Sequence, residues 1–375
     1  MTILGIIFSN LHDKSTPELT RDRTMASVPF GCRYRLVDFP LSNMTNAGIH
    51  HIGVITHYNY FSLMKHLSTG KVWDLSRNNK GLVLLPPFVS GYTADNKALY
   101  STRLEAIKSI ANFLWDANEE YIVMSDSDVI CNIDIKEILK SHIKDNADIT
   151  LVTKKVFIPR GTNTNHTVVL CENDKVTGIE KITKETHGTC QVMMNVTVMR
   201  LDLLKSILTQ TFATGENSFT EDVIKKGVNV YKIQNYSYEG AYFCIDSLSS
   251  FYNANMELLN KETQKQLFMS SQRPILTNVH SSPPTRYLNG GNVQNSMIAD
   301  GCTIQGSVRN SIIFRGVKIE KGTHVENSIL FEHTHVGIGT NLRFIITEKN
   351  VNIGDGITLA GHMRKPFFIE KNTNL

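Results

Sequence analysis

The chain has 375 residues, of which 41% are hydrophobic and 20% charged, a composition that excludes disordered, collagen-like and coiled-coil proteins. The 39 Lys and Arg residues against 35 Asp and Glu residues give a net charge of +4, too small to indicate nucleic acid but compatible with a small anionic ligand. No apolar run reaches the roughly 18 residues of a membrane span, and the N-terminus lacks the pattern of a signal peptide. Six scattered cysteines without a C-x-x-C pair indicate neither a zinc site nor a disulfide framework. We therefore expect a cytoplasmic protein of two or three domains.

Short apolar runs alternate with helical patterns through the first part of the chain. The runs predict strands at 3–8, 51–56, 81–86, 121–126 and 149–155. Between them, the pattern predicts helices at 41–48, 60–67 and 98–115. This alternation favours an α/β domain with a mostly parallel sheet, helices on both faces and a ligand site at the carboxyl ends of the strands.

The middle of the chain continues with strands predicted at 167–173, 191–199 and 228–234 and a helix at 248–259. Residues 261–290 are polar and end in turn-forming Pro, Gly and Asn residues, which is typical of a linker. We therefore predict a first domain at 1–260, a linker at 261–290 and a second domain at 291–375.

A different period marks the second domain. Aliphatic residues stand six apart, as in the pairs Ile298/Ile304, Ile319/Val325, Val336/Leu342 and Ile353/Leu359, and glycines punctuate the turns. The phrase Asn-Ser-Ile occurs at 310–312 and again at 327–329. A six-residue period with one aliphatic side chain per repeat predicts a parallel β-helix. Such a helix has flat faces and open ends that commonly pack against another subunit.

Residues 19–49 read LTRDRTMASVPFGCRYRLVDFPLSNMTNAGI, and this segment closely resembles the early part of bacterial glucose-1-phosphate adenylyltransferases (ADP-glucose pyrophosphorylases). The segments at 53–67 and 251–259 and the β-helix extend the resemblance over nearly the whole chain. It implies a nucleotidyltransferase-type Rossmann-like domain followed by a left-handed β-helix, in a tetrameric enzyme of glycogen synthesis. That enzyme joins ATP and glucose 1-phosphate into ADP-glucose and pyrophosphate, using Mg²⁺ and cationic groups beside the phosphates.

The loop after the first strand departs from the family pattern. The resemblance implies a glycine-rich loop ending in an arginine, but residues 10–15 are Asn-Leu-His-Asp-Lys-Ser, with Ser15 at the arginine position. Without glycines the backbone N–H groups cannot approach phosphates closely, and Asp13 adds a negative charge there. The family lysine in Arg-x-Lys-Pro is Met25, which lacks the ammonium group.

The metal-binding carboxylates are only partly kept. The resemblance aligns Asp128 with the first metal aspartate, and Asp126 shares its strand face. The second metal aspartate is replaced by Cys244, whose neutral thiol is a poor ligand for Mg²⁺. Asp246, two residues on, is an alternative source of that carboxylate. We therefore expect no metal or cofactor to bind productively.

The implied sugar pocket has also lost its polar groups, with Ser218 at the position of a family aspartate. Lys184 keeps a family lysine, so it either holds a phosphate or is an ordinary surface residue. Two interpretations are likewise open for four arginines close together in the chain: they bind an anionic sugar-phosphate effector, or they pair with Asp22 and Asp38 at the surface. These arginines are Arg21, Arg23, Arg33 and Arg35. The 13 histidines show no metal spacing and are expected at the surface.

The sequence thus keeps the scaffold of the family. It has lost residues that the reaction needs in the phosphate loop, at the basic position, among the metal-binding carboxylates and in the sugar pocket. Low-GC Gram-positive bacteria have two paralogous adenylyltransferase subunits, and this chain resembles the non-catalytic one. The expected function is regulation of a catalytic paralogue in a heterotetramer, with no nucleic acid or membrane partner. One alternative is an independently active, divergent sugar-phosphate nucleotidyltransferase. Another is a β-helix acyltransferase using His324 or His333, although such enzymes lack the segment at 19–49.

Overall fold

A computed structural model describes residues 1–78, 80–86, 100–162, 164, 166–279 and 281–375. The first domain contains these strands: Ile3–Phe8 (β1), Pro29–Phe30 (β2), Tyr34–Arg35 (β3), His51–Ile55 (β4), Leu82–Leu85 (β5), Tyr121–Asp126 (β6), Val129–Ile130 (β7), Ile149–Ile158 (β8), Thr167–Glu172 (β9), Lys175–Lys181 (β10), Gly188–Arg200 (β11), Ile233–Ser237 (β12) and Phe243–Cys244 (β13). Its helices are Pro17–Thr20 (α1), Asp38–Asn46 (α2), Phe61–Leu67 (α3), Arg103–Ser109 (α4), Ala111–Asp116 (α5), Ile135–Lys144 (α6), Leu201–Thr214 (α7), Leu248–Glu257 (α8) and Lys261–Phe268 (α9). Short 3₁₀ turns lie at Asp13–Ser15, Met25–Ser27 and Lys71–Trp73, and a π-helix lies at Phe219–Lys225.

The sheet of this domain has nine strands in the order β5-β4-β1-β6-β11-β8-β12-β10-β9. The strands β5, β4, β1 and β6 run parallel, whereas β11 pairs antiparallel with both β6 and β8. The expected α/β class is confirmed, but the sheet is mixed rather than mostly parallel. β11 enters the sheet antiparallel between β6 and β8, and β9 and β10 form an antiparallel hairpin at the edge, because their two-residue connection is too short for a parallel crossover.

Two apolar layers cover the two faces of the sheet. One contains Leu4, Ile6 and Ile107, and the other contains Ile7, Val54 and Leu139. Alternate residues of β1 thus point to opposite sides, and both sides are buried, as expected for a strand at the centre of a sheet covered by helices. The central strands are thereby held rigidly, which fixes the position of the residues at their carboxyl ends.

The helix predicted at 98–115 is divided at Ile110 into α4 and α5. Residues 98 and 99 of that prediction lie outside the described part of the chain. Thr102 begins α4 with a capping box, because its side chain accepts from the backbone of Glu105 while the Glu105 side chain accepts in return. The strand predicted at 228–234 begins later, at Ile233.

The second domain is a left-handed parallel β-helix with three faces, as predicted. One face comprises the strands Arg286–Tyr287, Thr303–Ile304, Lys318–Ile319, His335–Val336 and Asn352–Ile353. The second comprises Asn292–Gln294, Ser307–Arg309, His324–Glu326, Asn341–Arg343 and Thr358–Ala360. The third comprises Met297–Ile298, Ile312–Ile313, Ile329–Leu330, Ile345–Thr347 and Phe367–Ile369.

Equivalent residues of successive coils stack directly on one another. Ile319 pairs in register with Ile304 below and Val336 above, and all three are almost fully buried. Asn310 and Asn327, which begin the repeated Asn-Ser-Ile phrase, have φ values of 45° and 48°. Asparagine tolerates this left-handed conformation better than most residues, so the phrase marks a corner of the coil.

The predicted linker at 261–290 requires a correction. It contains helix α9 and the first strand of the β-helix, so the β-helix begins at Arg286 rather than at residue 291. The two domains are joined by an apolar cluster in which Phe30 and Phe251 of the first domain pack with Phe314 and Phe331 of the β-helix. Among the described residues, no helix has the length and apolar character that crossing a membrane requires.

Candidate functional site

The carboxyl ends of β1 and β6 bring the loop at residues 9–16 over two buried aspartates. β1 and β6 are parallel neighbours, with Phe8 in register with Asp126. The backbone N–H of Ser127 then donates to the carbonyl of Phe8 over 3.1 Å. Asp126 and Asp128 are 0% and 2% exposed. This is the edge of the sheet where the sequence predicts a ligand site.

His12 of that loop reaches across to both aspartates. Its Nε2 lies 2.9 Å from Oδ2 of Asp126 and 3.6 Å from Oδ2 of Asp128. Arg103, the first residue of α4, approaches the same Asp126 oxygen, with Nη2 at 2.6 Å. Two cationic side chains of the chain itself therefore lie on the buried carboxylates.

The charges of this cluster shift one another's pKa values. The negative charge of Asp128 raises the pKa of His12 to about 9, even though burial acts in the opposite direction. Burial alone would raise the pKa of Asp126, but Arg103 and His12 outweigh it and hold the pKa below its ordinary value. For Asp128 burial prevails over His12 and raises the pKa. At neutral pH His12 is therefore an imidazolium that balances carboxylate charge.

Cys244 lies beside Asp128, as its alignment with a metal aspartate implies. Strand β13 pairs antiparallel with β7, which sets Cys244 opposite Val129. The Cys244 Sγ donates to Oδ2 of Asp128 over 3.5 Å, and burial raises the pKa of the thiol well above its ordinary range. The thiol is therefore a hydrogen-bond donor to Asp128 and supplies no second carboxylate.

Asp246, the alternative source of that carboxylate, is held elsewhere. Its Oδ2 lies 3.0 Å from Nε2 of His166, and its Oδ1 accepts from Ser247 Oγ over 3.1 Å. The hydrogen bond from His166 lowers the pKa of Asp246 to about 2. Asp246 is thus engaged as a carboxylate with His166 and the start of α8, and it does not join Asp126 and Asp128 in one cluster of potential ligand atoms.

Met25 is buried in the apolar cluster between the two domains and is only 1% exposed. Its backbone N–H donates to Oδ1 of Asp13 over 2.7 Å. This hydrogen bond holds the Asp13 carboxyl group against the Met25 backbone, and burial raises its pKa to about 7, so that it is only partly ionised at neutral pH. The expectation of a full negative charge in the loop is therefore corrected. Ser15 is exposed in the short 3₁₀ turn.

The two remaining candidates from the sugar pocket lie apart from the aspartates. Lys184 is exposed, and only its backbone carbonyl, which accepts from Gly161, is hydrogen-bonded among the described residues. Ser218 begins the π-helix, where its hydroxyl oxygen accepts from the backbone of Glu221. The position of Ser218 is thus explained by helix capping.

The four arginines face the β-helix in two separate places. Arg21 and Arg23 line a groove of about 800 Å³, to which the β-helix contributes residues near its C-terminus. Arg33 and Arg35 line a smaller cavity together with Arg315 of the β-helix. The two members of each pair therefore share a surface, but the four do not form one cluster.

Of the two interpretations open for these arginines, pairing with Asp22 and Asp38 is wrong for Arg21 and Arg23. Arg21 pairs with Glu370 and Arg23 with Glu348, both in the β-helix, at 2.7 Å and 2.6 Å. Asp22 faces Lys371, and Asp38 binds His66 and the backbone of Arg35. Pairing with aspartates nearby in the sequence does not occur, because the C-terminal part of the β-helix lies over residues 21–23 and supplies the carboxylates.

Several histidines are also not at the surface, contrary to prediction. His66 and His142 are buried, where they bind Asp38 and Thr150. The two histidines considered for acyl transfer occupy ordinary β-helix positions: His324 is exposed on a strand, and His333 has a φ of 61° at a corner. Neither of these two side chains is hydrogen-bonded to another described residue, whereas the nearby His335 binds Asn352 and Glu320.

Sequence reasoning missed His12 and Arg103 as members of the site. From the sequence, His12 is only one residue of the loop at 10–15, and Arg103 is assigned no role in the site. A signal for His12 exists, since it lies in the loop after the first strand and every such loop of a parallel sheet faces the carboxyl edge. Nothing in the sequence indicates that Arg103 meets Asp126, because the contact depends on how the start of α4 packs against the carboxyl end of β6.

Comparison with known proteins agrees with this architecture. Residues 17–261 match the family model described as nucleotidyl transferase. Residues 283–365 match the model described as GlmU-like, C-terminal hexapeptide. The two matches correspond to the mixed sheet domain and to the β-helix, and the first covers more than half of the chain.

Similar proteins are found over most of the chain. The glycogen biosynthesis protein GlgD of Geobacillus stearothermophilus is 36% identical over 371 residues, which cover 99% of this chain and 96% of the relative. GlgD of Bacillus subtilis (strain 168) is 31% identical, covering 86% and 82% respectively. The glucose-1-phosphate adenylyltransferase of Mycoplasma mobile is 32% identical, covering 86% and 84%. The chain therefore belongs to the glucose-1-phosphate adenylyltransferase family of glycogen biosynthesis, as a GlgD-like member.

Proposed function

We propose that this chain is a regulatory, non-catalytic subunit that modulates a catalytic glucose-1-phosphate adenylyltransferase in a heterotetramer. One observation carries the proposal: His12 and Arg103 lie on Asp126 and Asp128, at the place where the family resemblance puts the metal and the phosphates. Mg²⁺ would have to displace His12 and Arg103 from the two aspartates. The triphosphate of ATP would meet carboxylates whose charge these two cations already balance. The catalytic edge of the sheet is thus occupied by the chain's own side chains.

The surroundings of the aspartates support the same conclusion. The loop at residues 9–16 contains no glycine, and Met25 is packed under the β-helix where a cation would be needed. Cys244 donates a hydrogen bond to Asp128 instead of supplying a carboxylate. We therefore propose that no Mg²⁺-dependent ATP binding occurs in this site and that the chain alone does not make ADP-glucose.

The β-helix is the part of the chain through which a non-catalytic subunit would contact its catalytic partner. The inward residues of its central coils are buried, as in the ladder of Ile304, Ile319 and Val336. Its flat faces present backbone and side chains that commonly pack against another subunit. We propose that the catalytic paralogue is bound through this domain, and that binding changes the turnover or effector response of the paralogue.

An anionic sugar-phosphate effector is part of this proposal. The groove has a volume of about 800 Å³, within the range of small-ligand sites, and its lining mixes the basic residues Arg21, Lys14 and Lys371 with acidic ones such as Glu18 and Glu370. Arg21 is exposed and pairs with Glu370, so a phosphate can replace that carboxylate at little cost. Arg23 is buried against Glu348 and is less accessible to a ligand. Arg21 is accordingly the residue whose replacement by alanine should most weaken the response to a hexose phosphate.

The test mixes the purified chain with the catalytic adenylyltransferase of the same organism. Light scattering should show a complex, and ADP-glucose synthesis should change several-fold or more, as a coupling of about 1–3 kcal/mol implies. The change should persist in Asp128→Asn and Lys184→Ala. It should be lost in Ile319→Asp, because a charge at this buried position breaks the β-helix that carries the contact.

Two results would contradict the proposal. If no complex forms and the kinetics of the paralogue are unchanged, the regulatory role is wrong. If the isolated chain turns over ATP with any sugar phosphate, the alternative of an independent nucleotidyltransferase is correct. Circular dichroism of the Ile319→Asp variant checks that loss of the β-helix is the cause of its effect.

A further inference from the structure

The groove between the loop after β1 and the end of the β-helix carries charges of both signs. Its basic residues are Lys14, Arg21, Arg23 and Lys371, and its acidic residues are Asp13, Glu18, Asp22, Glu348 and Glu370. The acidic residues outnumber the basic ones by one. An anion that enters this groove therefore meets charges that oppose it, and its binding depends on which of these charges are already paired.

Most of the charges in the groove neutralise one another. Three ion pairs, with 2.7, 2.6 and 3.5 Å between nitrogen and oxygen, are Arg21–Glu370, Arg23–Glu348 and Lys371–Asp22. Lys14 is different, because its side chain is exposed and makes no ion pair with a residue that the structure describes. An anion can therefore approach the Lys14 ammonium group without breaking an existing pair.

Asp13 and Glu18 are the acidic residues left over from these pairs. Glu18 is exposed on α1. Asp13 is half-buried, and its Oδ1 accepts from the backbone N–H of Met25 over 2.7 Å. The carbonyl oxygen of a neutral carboxyl group accepts such a hydrogen bond too, so the contact can hold Asp13 at the wall of the groove with or without its proton.

Asp13 is also the group of the groove that changes charge near neutral pH. Burial raises its pKa to about 7. Burial and Lys14 lower the pKa of His57, which lines the same groove, to about 4. The pKa of His12, beside Asp13 in the loop, is raised to about 9. Between pH 6 and 8, both histidines thus largely keep the charge that they have at pH 7.

The remaining charged and titratable groups around Asp13 come from four other parts of the chain. Burial raises the pKa of Tyr100, which precedes α4, so its hydroxyl group stays neutral. The others are Lys14 beside Asp13, then Glu18, Arg21, Asp22 and Arg23 in and after α1, and Glu348, Glu370 and Lys371 in the β-helix. Six of these are held in the three ion pairs, which leaves Lys14, Asp13 and Glu18 to decide the charge that an anion meets.

We propose that an anion in this groove is bound by Lys14 together with Arg21, and that Asp13 controls its binding by gaining or losing a proton. A neutral Asp13 carboxyl group leaves the Lys14 ammonium group to the anion, whereas an ionised one repels the anion. This inference rests on the proposed effector groove, for which it names a phosphate-binding residue and a regulation by pH. The effector response should accordingly weaken as the pH rises from 6 to 8.

The experiment uses the full-length chain with inorganic sulfate as the probe. Sulfate carries two negative charges throughout this pH range, so any pH dependence of its binding belongs to the protein. Equilibrium dialysis should show binding that weakens about fivefold or more between pH 6 and 8.5, the size expected for one unit charge a few ångströms from the anion. By linkage, binding at pH 8 should take up protons, which calorimetry in buffers of different ionisation enthalpy measures.

Variants then assign the effect to Asp13. Asp13→Asn keeps an oxygen that accepts from Met25 but cannot ionise, so its sulfate binding should change less than about twofold between pH 6 and 8.5. At pH 8.5 this variant should bind sulfate about fivefold or more tightly than the unaltered chain, and it should take up no proton. Glu18→Gln removes an exposed carboxylate of the same groove, and as the matched control it should keep the pH dependence of the unaltered chain.

A second pair of variants locates the anion. Lys14→Met should weaken sulfate binding at pH 6 about fivefold or more, because it removes the cation that no carboxylate already holds. Lys155→Met, at an exposed lysine of β8 outside the groove, should leave sulfate binding unchanged.

Three outcomes would overturn the inference. One is the same pH dependence in Asp13→Asn and the unaltered chain, and another is sulfate binding that Lys14→Met does not weaken. The third is the absence of sulfate binding both in the unaltered chain at pH 6 and in Asp13→Asn. Binding that weakens in Arg21→Ala but keeps its pH dependence in Asp13→Asn would leave the effector groove standing and remove only the role of Asp13. None of these measurements requires the catalytic paralogue, so the regulatory proposal succeeds or fails separately.

Discussion

Arg23 of the first domain donates a hydrogen bond to Glu348 of the β-helix, with 2.6 Å between Nη2 and Oε2. Their side chains are only 6% and 4% exposed, so the ion pair is buried in the contact between the two domains. Arg21 and Glu370 form a second pair nearby at 2.7 Å, but these side chains are 70% and 68% exposed. The two pairs join the same segments in very different surroundings.

We expect the buried pair to be far more sensitive to substitution than the exposed one. Glu348→Gln leaves Arg23 as a buried charge without a counter-ion, which should lower the free energy of unfolding by about 3–5 kcal/mol. Arg21→Met should lower it by no more than about 1 kcal/mol. Chemical denaturation of both variants measures the two effects, and the double variant Arg23→Met with Glu348→Leu should recover much of the loss. Similar losses in Glu348→Gln and Arg21→Met would contradict this account of the domain contact.

Restoring single family residues should not restore catalysis. Met25→Lys and Cys244→Asp each return one charged group, but His12, Arg103 and the loop without glycine remain, and catalytic groups act together rather than additively. Neither variant should synthesise ADP-glucose from ATP and glucose 1-phosphate. Clear synthesis by either one would show that the loop is less important than we infer.

The same substitution tests the packing of Met25. A lysine at this position, which is 1% exposed, buries an ammonium group and should lower the free energy of unfolding by at least about 1 kcal/mol. Met25→Leu keeps the volume and apolar character and should cost less than about 1.5 kcal/mol. A stable Met25→Lys chain would indicate that the lysine side chain reaches a polar partner.

The stability of the chain should depend on pH through His57. Burial, with a smaller effect of Lys14, lowers the pKa of His57 from 6.5 to about 4. In the unfolded chain the imidazole gains its proton near pH 6.5, whereas in the folded chain it gains it only near pH 4. Stability from this group is therefore present above pH 6.5 and falls as the pH drops towards 4, by at most about 3 kcal/mol.

His57→Asn is the variant that tests this dependence. The Nδ1 of His57 lies 2.7 Å from Nδ2 of Asn10 and accepts from the backbone of Tyr58, and an asparagine oxygen can accept in its place. Between pH 6.5 and 4, the free energy of unfolding should fall less steeply in His57→Asn than in the unaltered chain. Parallel pH profiles for the two proteins would rule out His57 as the titrating group.

The stacked aliphatic residues should carry the stability of the β-helix. Ile319→Ala removes buried methyl groups from a ladder with Ile304 and Val336 and should cost about 2–5 kcal/mol. Lys318→Ala, at the exposed neighbouring position, should change stability by less than about 0.5 kcal/mol. Guanidinium denaturation followed by circular dichroism distinguishes them, and equal effects would mean that the coil interior is not tightly packed.

Much of the fold could be predicted from local patterns. The aliphatic period of six predicted the β-helix because each coil repeats the same inward positions, and an apolar run predicted β1 and β6 because central strands are buried on both faces. The antiparallel half of the sheet was not predicted, since strand direction depends on which strands become neighbours. The start of the β-helix was misplaced because its first strand, Arg286–Tyr287, is exposed and polar.

The sequence by itself determined the family scaffold and the loss of its chemical groups, because both are properties of residue type at a given position: the missing glycines, Met25 and Cys244 can be identified without coordinates. Only the tertiary structure decided what took their place. It set His12 and Arg103 on Asp126, and it set Glu348 against Arg23 across 325 residues of chain. Such charge pairs carry no local pattern, since buried charges are paired by whatever segment the packing of helices and sheets brings within hydrogen-bond distance.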